Sequence, residues 1–368
     1  MRFTVLRQTL RSALENIKAT VKPVTGDNYS TFVKVEVKPT EQEMSLVGYN
    51  LETGAISVLN VEAVEYAEFL VSIKDFAAIV SKLDGETLEC SAENDVLTIK
   101  CGRSRTKIPT QNADNYPSIP DVTATSKLTM SAVTLADMIR QTVFAVSVSE
   151  NKPILMGELF EIADNNFNLV AIDGYRLAVR TEAVSTSDTY NFVVKGDTLR
   201  SVMMLTKSGD ITLIPSKKHI VFDFGRTKIF TRLLEGDFHN YKASLPKGAA
   251  TTVEVATKPL IECLERFCLL VDENKNIKGP VHCNFNSGKL EMSLKTIRGE
   301  MSDSVDIDFA GTPVEIGFNV RYMLDIIKAA ESDKVKFSLN GSVAPMTVTP
   351  LDGNAYTYLV LPVRLKNN

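Results

Sequence analysis

The chain has 368 residues, 44% of them hydrophobic and 23% charged, an ordinary globular balance that excludes both a small stapled scaffold and a disordered chain. At roughly 150 residues per domain, this length implies two to three domains, each able to bury a core. Lys and Arg number 41 against 45 Asp and Glu, a net charge of -4 that excludes gripping nucleic acid by bulk charge and leaves such a role to a local basic surface.

In chain order, Phe3 and Val5 alternate as in a strand, and Leu10, Leu14, Ile17 and Val21 follow the stripe of an amphipathic helix. The opening residues lack the apolar core of a signal peptide, and no run of about 18 apolar residues follows, so a cytoplasmic protein without a membrane span is expected. Val33, Val35 and Val37 alternate as a strand, and Phe76, Ile79 and Val80 mark a second helix. Adding 125 to the first pattern gives Leu128, Met130, Leu135, Ile139, Thr142 and Val146, and adding it again gives Val253, Val255, Leu260, Leu264, Phe267 and Val271. Thr142 alone breaks the apolar match. The second helix recurs as Leu199, Val202 and Met203, then as Met323, Ile326 and Ile327. Runs such as Leu169 to Ile172 and Val335-Phe337-Leu339, broken by Gly, Asn and Asp, read as antiparallel strands. The fold class is therefore α+β, with three tandem repeats, each of two helices packed on antiparallel sheet. Pro-punctuated connections at 115–120 and 238–248 place the domains at 1–124, 125–247 and 248–368.

A search for chemistry returns little. The three histidines, His219, His239 and His282, lie in no metal or nucleophile motif, and no phosphate-cradling glycine loop occurs. Five cysteines without an export signal read as free thiols; Cys263 and Cys268 would stand about 140° apart on a helix. No metal and no cofactor are expected. Asp173-Gly174 reads as a type I′ hairpin turn. The rival reading, an enzyme with Asp173 as its acid, needs a companion base that the sequence does not offer. A repeat-built scaffold for protein interaction is a further reading.

Cations are placed more suggestively. Arg7, Arg11, Lys18 and Lys22 fall on one face of the first helix, off its apolar stripe, and Arg200 with Lys207 and Arg321 with Lys328 recur at i and i+7. Arg140 stands alone in the corresponding helix of the second repeat. Their recurrence suggests phosphate neutralisation, against the alternative of a solvated face. Arg103, Arg105 and Lys107 alternate along an expected edge strand, and domain three carries Glu300, Asp303 and Asp306. A heterologous contact between these ends, with Leu270 and Val271 beside it, would close a ring; edge charges guarding against aggregation are the alternative.

Three repeats of this size, the start Met1-Arg2-Phe3-Thr4-Val5, the Asp173-Gly174-Tyr175-Arg176-Leu177-Ala178 turn, the Glu235-Gly236-Asp237-Phe238 segment running through Tyr241 to Leu245-Pro246, and the terminal Leu361-Pro362-Val363-Arg364-Leu365 together resemble the bacterial DNA polymerase III beta subunits, the DNA sliding clamps. The resemblance implies clamp-type domains assembling as a six-domain ring in a head-to-tail homodimer around duplex DNA. It implies a non-catalytic processivity factor, with the polymerase catalytic subunit, the clamp loader and repair polymerases as partners through short hydrophobic motifs. It also implies a client groove built from Leu155, Ile172, Gly174, Tyr175, Arg176, Leu177, Val343, Leu361, Pro362, Val363 and Arg364, with Arg176 and Arg364 framing its rim. His239, Ala243, Ser244 and Tyr175 depart from common family residues, as does the Lys366-Asn367-Asn368 extension.

Overall fold

The computed structural model describes residues 1–26, 29–120, 127–206, 208–272 and 279–365. Six helices occur among the described residues: α1 (Arg7–Thr20), α2 (Ile73–Lys82), α3 (Ala132–Thr142), α4 (Gly196–Leu205), α5 (Thr257–Cys268) and α6 (Val320–Ala330). Their burial follows the sequence stripe: Leu10, Leu14 and Ile17 in α1, and Leu260, Leu264 and Phe267 in α5, are fully buried. The exception, Thr142, is buried too, and its hydroxyl lies within hydrogen-bond distance of two acceptors for its one proton, the Met138 carbonyl and the buried carboxylate of Glu158. A polar residue holds the apolar position because it meets one oxygen of a buried acid. Three helix starts are capped by side chains: Ser72 Oγ accepts from the Asp75 amide at the start of α2, Ser131 Oγ from the Thr134 amide at the start of α3, and Asn319 Oδ1 from the Arg321 amide at 2.9 Å at the start of α6.

The described residues form two compact units, each with its own continuous antiparallel sheet. The first comprises 1–136 and 197–233, the second 137–196 and 234–368. In the first, a 13-stranded sheet among the described residues runs from Leu128–Ser131 to Glu62–Ala63. Its seam joins Thr53–Asn60 to Thr227–Arg232, with Gly54 opposite Phe230. In the second, a 12-stranded sheet among the described residues runs from Tyr190–Lys195 to Val314–Phe318. Its seam joins Arg176–Ala183 to Tyr356–Val360, with Leu177 opposite Leu359. In each unit, strands from successive sequence repeats therefore pair across the seam.

Among the strands inside the two sheets, Ser104–Gln111 and Gly299–Gly311 have the longest stretches without a second neighbour among the described residues. Ser104–Gln111 pairs with Val96–Cys101 along its length, but with Ala67–Ser72 only at Thr110 and Gln111. Gly299–Gly311 pairs with Lys289–Thr296 through Asp306, and meets Thr251–Ala256 only from Ile307 onward. Both leave an open edge.

Candidate functional site

The turn after Asn166–Ile172 differs from the sequence expectation. The two central residues are Gly174 and Tyr175, closed by the Asp173 amide donating to the Arg176 carbonyl. Gly174 has φ +92° while Tyr175 is not among the residues with positive φ, the pattern of a type II′ rather than a type I′ turn. The Asp173 carboxylate accepts from the Tyr175 amide at 2.8 Å, the Arg176 amide at 2.9 Å and Arg176 Nε at 2.9 Å. These contacts give Asp173 a structural task.

The same network corrects the position of Arg176. Its side chain is only 10% exposed and does not frame a rim. Beyond Asp173, it donates to Asp325 at 2.6 Å and to the Phe144 carbonyl at 2.5 Å, and its guanidinium lies 4.3 Å from the centre of the Tyr322 ring. Phe144, Tyr322 and Asp325 are absent from the sequence reading, because nothing in the local pattern links α3 and α6 to this turn.

Around the turn, Leu155, Ile172 and Leu177 belong to a buried cluster with Leu159, Val170, Val179, Val193, Tyr241 and Leu359. Tyr175 is 62% and Val343 80% exposed, and Leu361 and Val363 are also exposed. The final strand ends at Val360, so Leu361 and Val363 do not complete it. Instead the tail is held by two backbone bonds of 2.8 Å, from the Leu361 amide to the Tyr175 carbonyl and from the Val363 amide to the Gly317 carbonyl. Pro362 is half-buried and Arg364 exposed. The connector before the third repeat docks beside the cluster through Tyr241, whose hydroxyl donates to Glu161 at 2.6 Å. Tyr241 is Tyr116 plus 125, a match that the repeat offset could have found.

The basic helix faces are more compensated than the sequence suggests. Arg11 pairs with Glu15, Lys22 with Asp197, Arg200 with Asp197 and Lys328 with Glu265, while Arg140 pairs with both Asp137 and Glu331. Arg7 donates to the Gly85 carbonyl at 2.7 Å and Arg321 to the Val271 carbonyl at 3.3 Å. Lys18 is exposed at the end of α1, whereas Lys22 lies beyond that helix, which ends at Thr20. Lys207 lies outside the described residues.

The two open edges carry opposite charge. Arg105 and Lys107 project from the edge strand beside Lys100 of its neighbour, all exposed. Arg103 does not alternate with them, because it sits with Gly102 in the two-residue turn that precedes the strand. On the other edge Glu300 and Asp306 are exposed, with Glu300 paired to Lys295. Asp303 has the opposite parity and pairs with Arg266 of α5, whose guanidinium holds its carboxyl below the usual aspartate range. Val271 is buried, which removes it from an outer surface, and Leu270 is half-buried; Leu269, at 67% exposure, is the outward residue.

No cluster of three or more His, Cys, Asp and Glu able to hold a metal occurs among the described residues, and no described helix is long and apolar enough to cross a membrane. Residues 1–120, 129–240 and 242–364 match the N-terminal, central and C-terminal domain profiles of the DNA polymerase III beta subunit. The beta sliding clamp of Halalkalibacterium halodurans is 30% identical, covering 83% of this chain and 82% of the relative, and that of Staphylococcus epidermidis is 27% identical over 99% of each. The DNA polymerase sliding clamp from Bacillus subtilis, 24% identical with 100% of each chain covered, superposes with a TM-score of 0.94 and shares the fold. Matches to all three domain profiles, in order along one chain, establish that this protein belongs to the DNA polymerase III beta subunit family, the DNA sliding clamps of replication.

Proposed function

We propose that two copies of this chain join head to tail into a ring of six domains that encircles duplex DNA and tethers the replicative polymerase. The observation that carries the subunit contact is the pair of open strand edges of opposite charge within one chain, Ser104–Gln111 with Arg105 and Lys107, and Gly299–Gly311 with Glu300 and Asp306. A basic edge cannot pair favourably with its own copy, but it suits the acidic edge of another, and such a heterologous contact closes when its rotation permits. The domains are taken as 1–124, 125–247 and 248–368, and the protein as cytoplasmic and non-catalytic, acting by raising the polymerase's effective concentration at the template.

DNA contact in this reading is weak and topological. Arg11, Lys22, Arg140, Arg200 and Lys328 each share an acid, so few cations are free to release counterions from phosphate, which favours sliding over tight binding. Clients dock by short hydrophobic motifs on the surface formed by Leu155, Leu177, Tyr175, Val343, Leu361 and Val363. The exposure of Tyr175, Leu361 and Val363, on the turn and tail next to the buried Leu177 and Leu359, and of Val343 supports that reading.

The test is retention on DNA. Protein loaded on nicked circular DNA should stay bound and should run off once the circle is linearised; equal, tight retention on linear DNA with free ends rejects the ring.

A further inference from the structure

Next to the apolar cluster, between the strand Gly157–Ala163 and the connector at 236–242, lies a cavity of about 250 Å³. It borders the groove of the proposed function, because Leu159 and Tyr241 belong both to its wall and to the apolar cluster of Leu155, Ile172 and Leu177, against which Phe238 also packs. Its remaining lining is polar. Glu161 is fully engaged: one carboxylate oxygen accepts from Lys242 Nζ at 2.9 Å, the other from the Tyr241 hydroxyl at 2.6 Å and Asn168 Nδ2 at 3.1 Å. The wall's Glu161 and Lys242 therefore neutralise each other. His239 is held by a 3.0 Å contact with Ser244 Oγ. Asp237 is exposed and makes no hydrogen bond or ion pair among the described residues.

We propose that this cavity is a second subsite, which takes the ammonium or guanidinium side chain of a client segment whose apolar anchors occupy the groove. The proposal rests on the groove reading above. A lysine or arginine side chain is an alkyl stem with a charged tip, and such chains lay the stem on apolar surface while the tip reaches polar groups. Here the stem would pass Leu159 and Phe238 and the tip would reach Asp237, the carboxylate whose charge no neighbouring cation offsets. An acidic client residue would meet that same carboxylate and be repelled. The subsite thus gives the groove a charge preference that apolar anchors alone cannot supply, and its energy is that of a partly exposed ion pair, which salt screens.

The probe is a set of synthetic peptides with an adjacent leucine and phenylalanine as anchors and one flanking position that carries lysine, norleucine or glutamate, with that position moved along both flanks. Affinities are measured by calorimetry on the full-length protein. At one flank position lysine should bind up to about fivefold more tightly than norleucine, the range of an exposed ion pair. That ratio should fall to about one in Asp237→Asn and in 0.5 M salt, and glutamate should bind more weakly than norleucine at that position. A norleucine peptide that binds while lysine adds nothing at any position, or a lysine gain that survives Asp237→Asn, overturns the subsite alone. Failure of every norleucine peptide to bind overturns the groove, and the subsite with it.

Discussion

The two sheet seams are built alike and filled differently. In the first unit Gly54 faces Phe230, and a side chain at position 54 would begin 2.1 Å from the phenyl ring. Only glycine leaves room for that ring, which lies 5.1 Å from the ring of Tyr49 and buries with Val47, Leu70, Ala113 and Tyr116. In the second unit the equivalent pair is Leu177 and Leu359, two aliphatic side chains of similar size. Beside it stand the exposed Tyr175 and Leu361, joined by a backbone bond, and Val363 follows two residues on. One seam spends its aromatic bulk on closing itself. The other keeps apolar surface in water, at a cost that a partner can offset. In the proposed reading, a repeated architecture gains its docking surface through the allocation of side-chain volume, both seams being antiparallel strand pairs.

The largest expected effect comes from opening the closed seam. Phe230→Ala removes the ring over Gly54 and should destabilise the protein by about 3–5 kcal/mol, the range for deleting a buried phenylalanine. Denaturant melts of the variant and the parent measure it. An unchanged midpoint would mean that the ring is not what closes this seam.

Next comes removal of the open seam's exposed tail. Deleting residues 361–368 takes away Leu361 and Val363, which two backbone bonds hold in place. Because a few anchors dominate such interfaces, affinity for a leucine–phenylalanine peptide should fall by about 30-fold or more, roughly 2 kcal/mol, while the dimer persists. Equal binding by calorimetry would move the groove elsewhere on the molecule. Smaller again is charge reversal of Arg105 and Lys107 to Glu, which should weaken the dimer about tenfold in sedimentation at low concentration, with partial rescue by Glu300→Lys. A dimer indifferent to both changes leaves these charges the sole task of guarding an edge.

What the sequence reveals follows from what periodicity encodes. The 125-residue offset locates the helix stripes, because burial of one helix face is a local pattern; Leu10, Leu135 and Leu260 are all fully buried. The seams are invisible to that method. Gly54 with Phe230 and Leu177 with Leu359 are pairs separated by more than a hundred residues, and a strand's own alternation does not name its neighbour. Arg176 illustrates the same limit. Its charge suggests solvent, yet Asp173 beside it and Asp325 on α6 together supply the acids that let it bury. Arg103 falls on the other side of a boundary: a hairpin turn at Gly102-Arg103 moves it out of the strand by a single position, the resolution at which alternation fails. Val271 is the opposite case: as the last member of the stripe Leu260, Leu264 and Phe267 it stays buried although α5 ends at Cys268, while Leu269, off that stripe, faces outward.

The smallest effect concerns the connector that walls the open seam. Burial works to raise the Glu161 carboxyl, but the hydrogen bonds from Tyr241, Lys242 and Asn168 outweigh it, so the group titrates below its ordinary value of 4.5. A carboxyl with a depressed folded value stabilises the fold fully above the unfolded value and loses that contribution as pH falls through the folded one. Burial, then the bond to Glu161, push the Tyr241 hydroxyl upward, so it stays a donor through the acid and neutral range. Glu161→Gln should therefore cost about 1 kcal/mol at neutral pH, the scale of one lost charge-assisted bond. Its penalty should shrink below pH 4.5, where the parent's own carboxylate begins to take up a proton. Melting both proteins at pH 7, 4.5 and 3 tests this, and a gap that stays constant across the three would mean that Glu161 does not hold the connector by its charge.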